Sequence, residues 1–196
     1  MAYQNHQDAS RLPTSSTGRE IIFPTLVDKA KWLDSMSSFD ALRRGIQGVA
    51  SQFTRDPRPE MRTRNIHRFC RDRIHYERDF QLSRNRPGEE FADSPTVLRR
   101  GYGDCDDKAR LFVALMRAAE LVRPLGTESR IHAVFRKHPV IDFVHVQADV
   151  RWPGSKSNPR ADANGWILAE LILKGCELGQ NPDEMPRGPH GERILA

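Results

Sequence analysis

A glycine-rich turn that leads into a helix constrains this chain more than any other feature of its sequence. Residues 101–108 read Gly-Tyr-Gly-Asp-Cys-Asp-Asp-Lys, and a strongly helix-favouring run follows them. Asp104 is a typical N-cap residue, with Asp107 three residues later in a position like that of a capping box. The pattern predicts a helix from about 106 to 121 with Cys105 at its N-terminus. The helix dipole and the free N–H groups there favour a thiolate, which is the nucleophilic form of cysteine.

The predicted helix has a broad apolar face, which is typical of a helix at the centre of a domain. That face is formed by Leu111, Phe112, Leu115, Met116 and Ala119. Three aspartates at 104, 106 and 107 oppose a thiolate on Cys105, whereas the imidazolium of a partner histidine would favour it. An ion pair at contact range outweighs partly solvated charges one turn away. We therefore expect the pKa of Cys105 to be depressed, although less than it would be without the aspartates.

Composition narrows the class of protein. The chain has 196 residues, 38% of them hydrophobic, which fits one domain with a real core. No apolar run approaches the roughly 20 residues that span a bilayer, and residues 1–20 lack the pattern of a signal peptide. The three cysteines are far apart and form no CxxC pair, so neither a disulfide framework nor a zinc site is expected. We expect a cytoplasmic protein without a membrane segment, a metal or a cofactor.

Helical patterns come first along the chain and strand patterns second, which favours an α+β domain. Residues 1–19 are expected to be a disordered tail and residues 183–196 a loose one. The single domain between them, residues 20–182, is expected to have a helical part over 20–121 and a strand part over 130–175. Within the helical part, a short helix is expected over 26–36.

The helical part holds further patterns. One apolar stripe predicts an amphipathic helix capped by Ser37 or Ser38, and its members are Phe39, Leu42, Ile46, Val49 and Phe53. A helix after Pro59 has Cys70 in its apolar stripe, so this cysteine is predicted to be a core residue. Residues 81–95 are predicted to be a surface loop.

Two alternating strands are predicted over 130–137 and 143–152, and His145 lies on the polar face of the second. His145 is the candidate base for Cys105, and His132 on the neighbouring strand is the second choice. Asp149 shares the face of His145, but four residues along a strand span about 13 Å. That distance is too long for a direct hydrogen bond.

Glu170 is the alternative orienting acid. It is the one charge in the apolar run 166–173, where a charge is costly unless it is paired. As a strand beside the His145 strand, this run would bring Glu170 to the imidazole. As a short helix, it would instead pair Glu170 with Lys174. The strand is the favoured interpretation.

These motifs resemble the transglutaminase-like superfamily, in small bacterial or phage-type form. Residues 95–98 and 101–108 look like its cysteine motif, with Gly-x-Gly-Asp-Cys as the core. Residues 143–146 resemble its histidine motif, residues 166–170 its third motif, and residues 74–76 an element that precedes the cysteine. The resemblance covers roughly residues 60–182. It implies a papain-like core in which a central cysteine-bearing helix packs on an antiparallel sheet.

The resemblance also implies site residues. Cys105 would be the nucleophile, His145 the base and Glu170 the orienting acid, where the family usually has aspartate. The backbone N–H of Cys105 would stabilise the oxyanion. Tyr76, Tyr102 and Asp104 are expected to line the substrate-binding site.

The implied function is a cysteine-dependent amide-bond enzyme, a protease, deamidase or transglutaminase, that acts on peptides or proteins through a thioester. The alternative is a non-catalytic interaction or structural protein of a larger assembly such as a phage particle, which would place it in the virion. A weaker hypothesis is nucleic-acid binding by the arginine-rich residues 55–78, given the net charge of +5. Interleaved acids favour a solvated helix face there instead.

Overall fold

A three-stranded antiparallel sheet and a central helix frame this protein, in a computed structural model that describes residues 11–12, 21–23, 25–78, 91–136 and 143–182. The expectations for the two tails, apart from residues 11–12, lie outside the described residues. So does most of the predicted loop 81–95.

Five α-helices and seven strands are described. The helices are α1 (Leu26–Ala41), α2 (Arg44–Ser51), α3 (Pro59–Arg73), α4 (Ser94–Arg100) and α5 (Cys105–Val122). The strands are β1 (Arg11–Leu12), β2 (Ile21–Ile22), β3 (His75–Tyr76), β4 (Tyr102–Gly103), β5 (Glu128–Arg136), β6 (Phe143–Arg151) and β7 (Ile167–Ala169). None of the described helices combines the length and the apolar character needed to cross a membrane.

The sheet has the order β5-β6-β7, so that the strand with His145 lies at its centre. In the register of this sheet, His145 lies opposite Val134 of β5, and Ala148 lies opposite Ala169 of β7. Two small pairs complete the strands: β1 and β2 run antiparallel, whereas β3 and β4 run parallel and join Tyr76 to Gly103.

Helix α5 occupies the centre of the core, as its broad apolar face predicted. Residues Ala109 to Leu115 are almost completely buried, the charged Arg110 among them. The helix contacts α1, α2, α3 and α4 on its helical side and β5 and β6 on the sheet side. Cys70 is fully buried in α3, which confirms its prediction as a core residue.

The stripe predicted over 39–53 is wrong as a single helix. Helix α1 runs through to Ala41 and is capped by Thr25, and α2 begins only at Arg44. Phe39 and Leu42 are 61% and 63% exposed. The pattern misled because the buried face of α1 includes Lys29, Ser37 and Asp40, whose polar groups find partners inside the protein. A hydrophobic pattern cannot show such a face.

Asp40 is the clearest of these buried partners. Its Oδ2 accepts hydrogen bonds from the Ser94 backbone N–H at 3.0 Å and from the Ser94 hydroxyl at 2.7 Å. The same oxygen lies 2.8 Å from Nε of Arg110, a buried guanidinium of α5. Asp40 thus joins α1, α4 and α5 through one carboxylate.

We expect Asp40→Ala to destabilise the fold by about 3 to 5 kcal/mol, because it leaves the Arg110 charge buried beside an empty position. Urea unfolding followed by circular dichroism measures the change. The matched control is Glu60→Ala, which breaks a partly exposed pair with Arg64 four residues along α3. Its cost should stay below about 1 kcal/mol. Equal losses in both variants would contradict the assigned role of Asp40.

Candidate active site

The turn before α5 places Cys105 at the first residue of the helix. Oδ1 of Asp104 accepts hydrogen bonds from the backbone N–H groups of Asp106 and Asp107, at 3.1 and 3.3 Å, so the predicted N-cap is confirmed. Gly101 adopts a left-handed conformation with φ of 76°. A Cβ on Gly103 would lie 2.7 Å from Cβ of Asp107, so this position has no room for a side chain.

The sulfur of Cys105 lies against the central strand. The backbone N–H of Val146, the residue after His145, donates a hydrogen bond to it. Cys105 is half-buried, and the density of protein around its thiol disfavours a charge there. The end of α5 and the middle of β6 therefore meet at this thiol.

The expectation of a depressed thiol pKa is wrong for this arrangement. Burial raises the pKa of Cys105 well above its usual value, and the charges of Asp104 and Asp106 raise it further. Lys29 and the Val146 N–H act in the opposite direction without compensating. Desolvation, which the sequence does not reveal, decides the sign. The resting side chain is thus a neutral thiol.

His145 is buried, 4% exposed, on β6. Its Nε2 lies 2.9 Å from Oε2 of Glu170, which is itself 2% exposed. This is a hydrogen-bonded histidine–carboxylate pair in a desolvated setting. The structure therefore brings His145 and Glu170 into direct contact and places Cys105 against the residue next to His145.

Of the run 166–173, residues Ile167–Ala169 form β7, and Glu170 directly follows it. The strand interpretation is confirmed for these three residues, and the short helix is wrong. Its Oε1 accepts a hydrogen bond from the Ile172 backbone N–H at 3.0 Å. Burial by itself would raise the pKa of Glu170, but hydrogen bonds from His145, Ile172 and Leu171 outweigh it and lower that pKa. The carboxylate is ionised, and its additional methylene does not prevent contact with the imidazole.

The competing residues belong to another network. Asp149 lies 3.0 Å from Nε of Arg130 and 3.6 Å from Nδ1 of His132. The His132 side chain is 46% exposed. His132, the second-choice base, and Asp149, the rejected acid, thus lie beside each other.

Tyr76 lies close to the thiol. The parallel pairing of β3 with β4 holds it beside Gly103, through a 3.0 Å hydrogen bond from the Glu77 N–H to the Gly103 carbonyl. Burial raises the pKa of Tyr76 to about 12, and negative charge on Asp104, or on Cys105 when it is ionised, would add to the shift. Its hydroxyl therefore stays protonated. Arg78 donates a hydrogen bond to its oxygen, a contact that does not use the phenol hydrogen.

Tyr102, also predicted to line the substrate site, is half-buried on β4. The guanidinium of Arg100 lies over its ring, 4.8 Å from the centroid. The ring is thus held in place by a cation from the end of α4.

The three aspartates around Cys105 converge, and one oxygen from each lies within 4.8 Å of the others. Asp106 lies 3.2 Å from Nζ of Lys29. Asp107 pairs with Arg100 and accepts a hydrogen bond from the Ala92 N–H at 2.9 Å. These acids therefore anchor the start of α5 to α1 and α4. Sequence reasoning missed Lys29, whose one signal is its four-residue spacing from Leu33.

Lys108 is a fully buried cation one turn after Cys105. Its Nζ donates hydrogen bonds to the carbonyls of Ile74 at 2.6 Å and Arg71 at 3.2 Å, at the C-terminal end of α3. A cation is favourable at that end of a helix dipole. Burial nevertheless lowers the pKa of Lys108 to about 8. Lys108 ties the site helix to the segment that carries Tyr76.

A comparison with protein families places this geometry in context. Residues 47–171, well over half of the chain, match the profile of the transglutaminase-like superfamily. The chain belongs to this superfamily. The α+β fold predicted from the order of the helical and strand patterns is confirmed, with helices first and the antiparallel sheet second.

Comparison with solved structures gives a more distant likeness. A candidate protease from Parabacteroides distasonis ATCC 8503 superposes with a TM-score of 0.48 at 16% sequence identity. The alignment covers 74% of this transglutaminase-like chain and 29% of that one. A search of the curated proteins found no match.

The burial of Lys108 predicts a pH-dependent stability. Its pKa is about 8 when folded and about 10.4 when unfolded, so the unfolded chain binds the additional proton between these values. Stability from this group therefore rises between pH 8 and 10.4, by about 3 kcal/mol in total. We expect the unfolding free energy of the wild type, relative to that of Lys108→Met, to increase as the pH rises over this range. Parallel urea-unfolding curves in both proteins would contradict the assignment.

Proposed function

We propose that this protein is a cysteine-dependent amide-bond hydrolase of peptides or proteins, in which Cys105, His145 and Glu170 act together. The buried 2.9 Å contact between His145 and Glu170, next to the strand residue that hydrogen-bonds the thiol, carries this proposal. A cysteine nucleophile requires a base within reach and a third group that orients this base, and Glu170 meets the second requirement.

In the first half-reaction, the Cys105 sulfur attacks the substrate carbonyl carbon. Because Nε2 of His145 is engaged by Glu170, we assign Nδ1 as the atom that accepts the thiol proton. The Glu170 carboxylate stabilises the imidazolium that forms. The imidazolium then gives its proton to the leaving amine, the C–N bond breaks and a thioester remains on Cys105.

In the second half-reaction, His145 takes a proton from water as the water oxygen attacks the thioester. The C–S bond breaks, the sulfur recovers its proton, and a carboxylic acid is released. Water requires no binding site of its own, so hydrolysis is the simpler proposal. A primary amine in the same position would form a crosslink instead.

The raised thiol pKa makes His145 a base that acts during attack rather than one that maintains a thiolate at rest. Serine enzymes use the same general-base route, in which the base removes the proton of a neutral hydroxyl group during attack. Lys29 and the Val146 N–H both favour negative charge on the sulfur, so they support this step.

Two donors are proposed for the oxyanion. The Cys105 backbone N–H belongs to the first turn of α5, where N–H groups have no partner within the helix. Tyr76 is the second, because its protonated hydroxyl lies near the thiol. Tyr102 and Asp104 stay predictions as substrate-binding residues, and one oxygen of Asp104 is already used by the helix cap.

The buried, neutral thiol also gives weight to the alternative, a non-catalytic interaction or structural protein of a larger assembly such as a phage particle. A stable large complex on size-exclusion chromatography, without a reactive thiol, would favour it. Nucleic-acid binding has less support, because five arginines of residues 55–78 lie within salt-bridge distance of acids. These are Arg58, Arg62, Arg64, Arg68 and Arg71.

Thiol labelling tests the proposed nucleophile. We expect iodoacetamide at neutral pH to modify Cys105 at least about tenfold faster than Cys70 and Cys176. Burial raises the pKa of all three thiols, but Cys105 is partly exposed and has His145 as its proposed base, whereas Cys70 and Cys176 are buried. Peptide mass spectrometry over time gives the three rates, and His145→Ala should slow only that of Cys105. In urea, the three rates should converge. Equal rates in the folded protein, or peptide hydrolysis that survives Cys105→Ala, would refute the proposal.

Tyr76→Phe tests the second oxyanion donor. We expect acylation by p-nitrophenyl acetate to slow on the order of a hundredfold, because one hydrogen bond to the oxyanion is lost. Alkylation by iodoacetamide forms no oxyanion, so its rate should stay near that of the wild type and serves as the internal control. If both reactions slow equally, Tyr76 supports the site in another way.

A further inference from the structure

Helix α3 reaches the proposed triad at Glu170. We propose that His67 of α3 is a positioning residue that fixes Glu170 by donating a hydrogen bond to its backbone carbonyl. The effect of His67 on chemistry rests on the proposed function, whereas its contact with Glu170 is a feature of the fold.

His67 is fully buried, and its Nε2 lies 2.8 Å from the carbonyl oxygen of Glu170. Its ring meets the ring of Phe112 edge-on, with centroids 6.4 Å apart and an interplanar angle of 89°. Burial lowers the pKa of His67 to about 4, so the imidazole is neutral at physiological pH. Only Nε2 can then carry the proton that this contact requires. Among the described residues, Nδ1 has no partner.

The contact acts where the sheet ends. β7 stops at Ala169, which pairs with Ala148 in the last pair of the β6–β7 ladder. The carbonyl of Glu170 lies beyond this pair. A buried carbonyl without a donor is costly, and His67 provides one. Glu170 is thereby held at three atoms. His67 binds its carbonyl, Ile172 binds Oε1 and His145 binds Oε2.

A second residue of α3 holds the same segment further along. Nη1 of Arg71 donates a hydrogen bond to the Cys176 carbonyl at 2.5 Å and lies 3.5 Å from Oε1 of Glu177. His67 and Arg71 are four residues apart and share one face of the helix. Both ends of the segment 170–176 are therefore tied to α3. This face of the arginine-rich helix α3 is therefore buried and holds the segment that carries Glu170.

The inference separates His67 from the catalytic residues. Its hydrogen bond goes to main chain, so it acts on the chemistry through the position of the Glu170 carboxylate. A misplaced carboxylate would no longer keep the proton of His145 on Nε2. In the other tautomer, Nδ1 already carries a hydrogen and cannot accept the thiol proton.

Two substitutions separate the hydrogen bond from the volume of the ring. His67→Gln retains an N–H donor at about the position of Nε2, whereas His67→Leu removes the donor. Nitrogen NMR on protein with ring-labelled histidine identifies the tautomer of His145, and its signal is assigned with His145→Ala. We expect one tautomer, with the proton on Nε2, in the wild type and in His67→Gln. We expect a mixture in His67→Leu.

Alkylation of Cys105 by iodoacetamide gives the chemical readout. His67→Leu should slow it by about 10- to 100-fold, the size of effect that a small misplacement of a reacting group produces. His67→Gln should remain within about threefold of the wild type. In the Glu170→Gln background, adding His67→Leu should cause no further loss, because a residue that acts through Glu170 has nothing left to position.

A wild-type tautomer in His67→Leu, or losses that multiply in the double variant, would overturn the inference. Should His67→Leu fail to fold, His67→Asn replaces it, since its amide lies near the position of Nδ1 and does not reach the carbonyl. A slow Cys105 in the wild type would count against the proposed reaction alone. The NMR comparison still decides whether His67 holds Glu170.

Discussion

The buried N-terminus of helix α5 is the constraint on which the rest of this structure depends. The N-terminus of a helix has backbone N–H groups without partners and a positive potential. It is therefore rarely buried without capping groups or negative charges beside it. Here Asp104 caps it, and Asp106 and Asp107 bring in Lys29 and Arg100. These contacts allow the helix to begin inside the protein, against the central strand, with Cys105 as its first residue.

The same principle organises the layers around the site. Asp40 joins α1, α4 and α5, Lys108 joins α5 to the end of α3, and His67 joins α3 to the end of β7. Each buried polar group is costly without its partner, so each contact permits one arrangement of its elements and penalises others. Apolar packing provides most of the driving force, whereas these contacts set the register in which the helices and the sheet meet.

Much of the site was predictable because its signals are local. The Gly-x-Gly-Asp-Cys turn predicts a capped helix, the alternation around His145 predicts a strand, and the lone charge of Glu170 predicts a partner. Even the exclusion of Asp149 follows from strand geometry. The stripe from Phe39 to Phe53 misled because the buried face of α1 is partly polar. The basic partners Lys29 and His67 were missed because the sequence near them distinguishes them too weakly from surface residues.

The sequence by itself determined the order of the elements and indicated three candidate residues for cysteine chemistry, since caps, periodicity and turn residues act over a few positions. Its motifs carried the resemblance to the superfamily. Tertiary structure alone decided how those residues are tuned. Burial made Cys105 a neutral thiol and His67 a neutral donor, whereas hydrogen bonds from His145 and the backbone keep Glu170 ionised in spite of its burial. A pKa depends on desolvation and on charges from distant segments, so it exists only once the chain has folded.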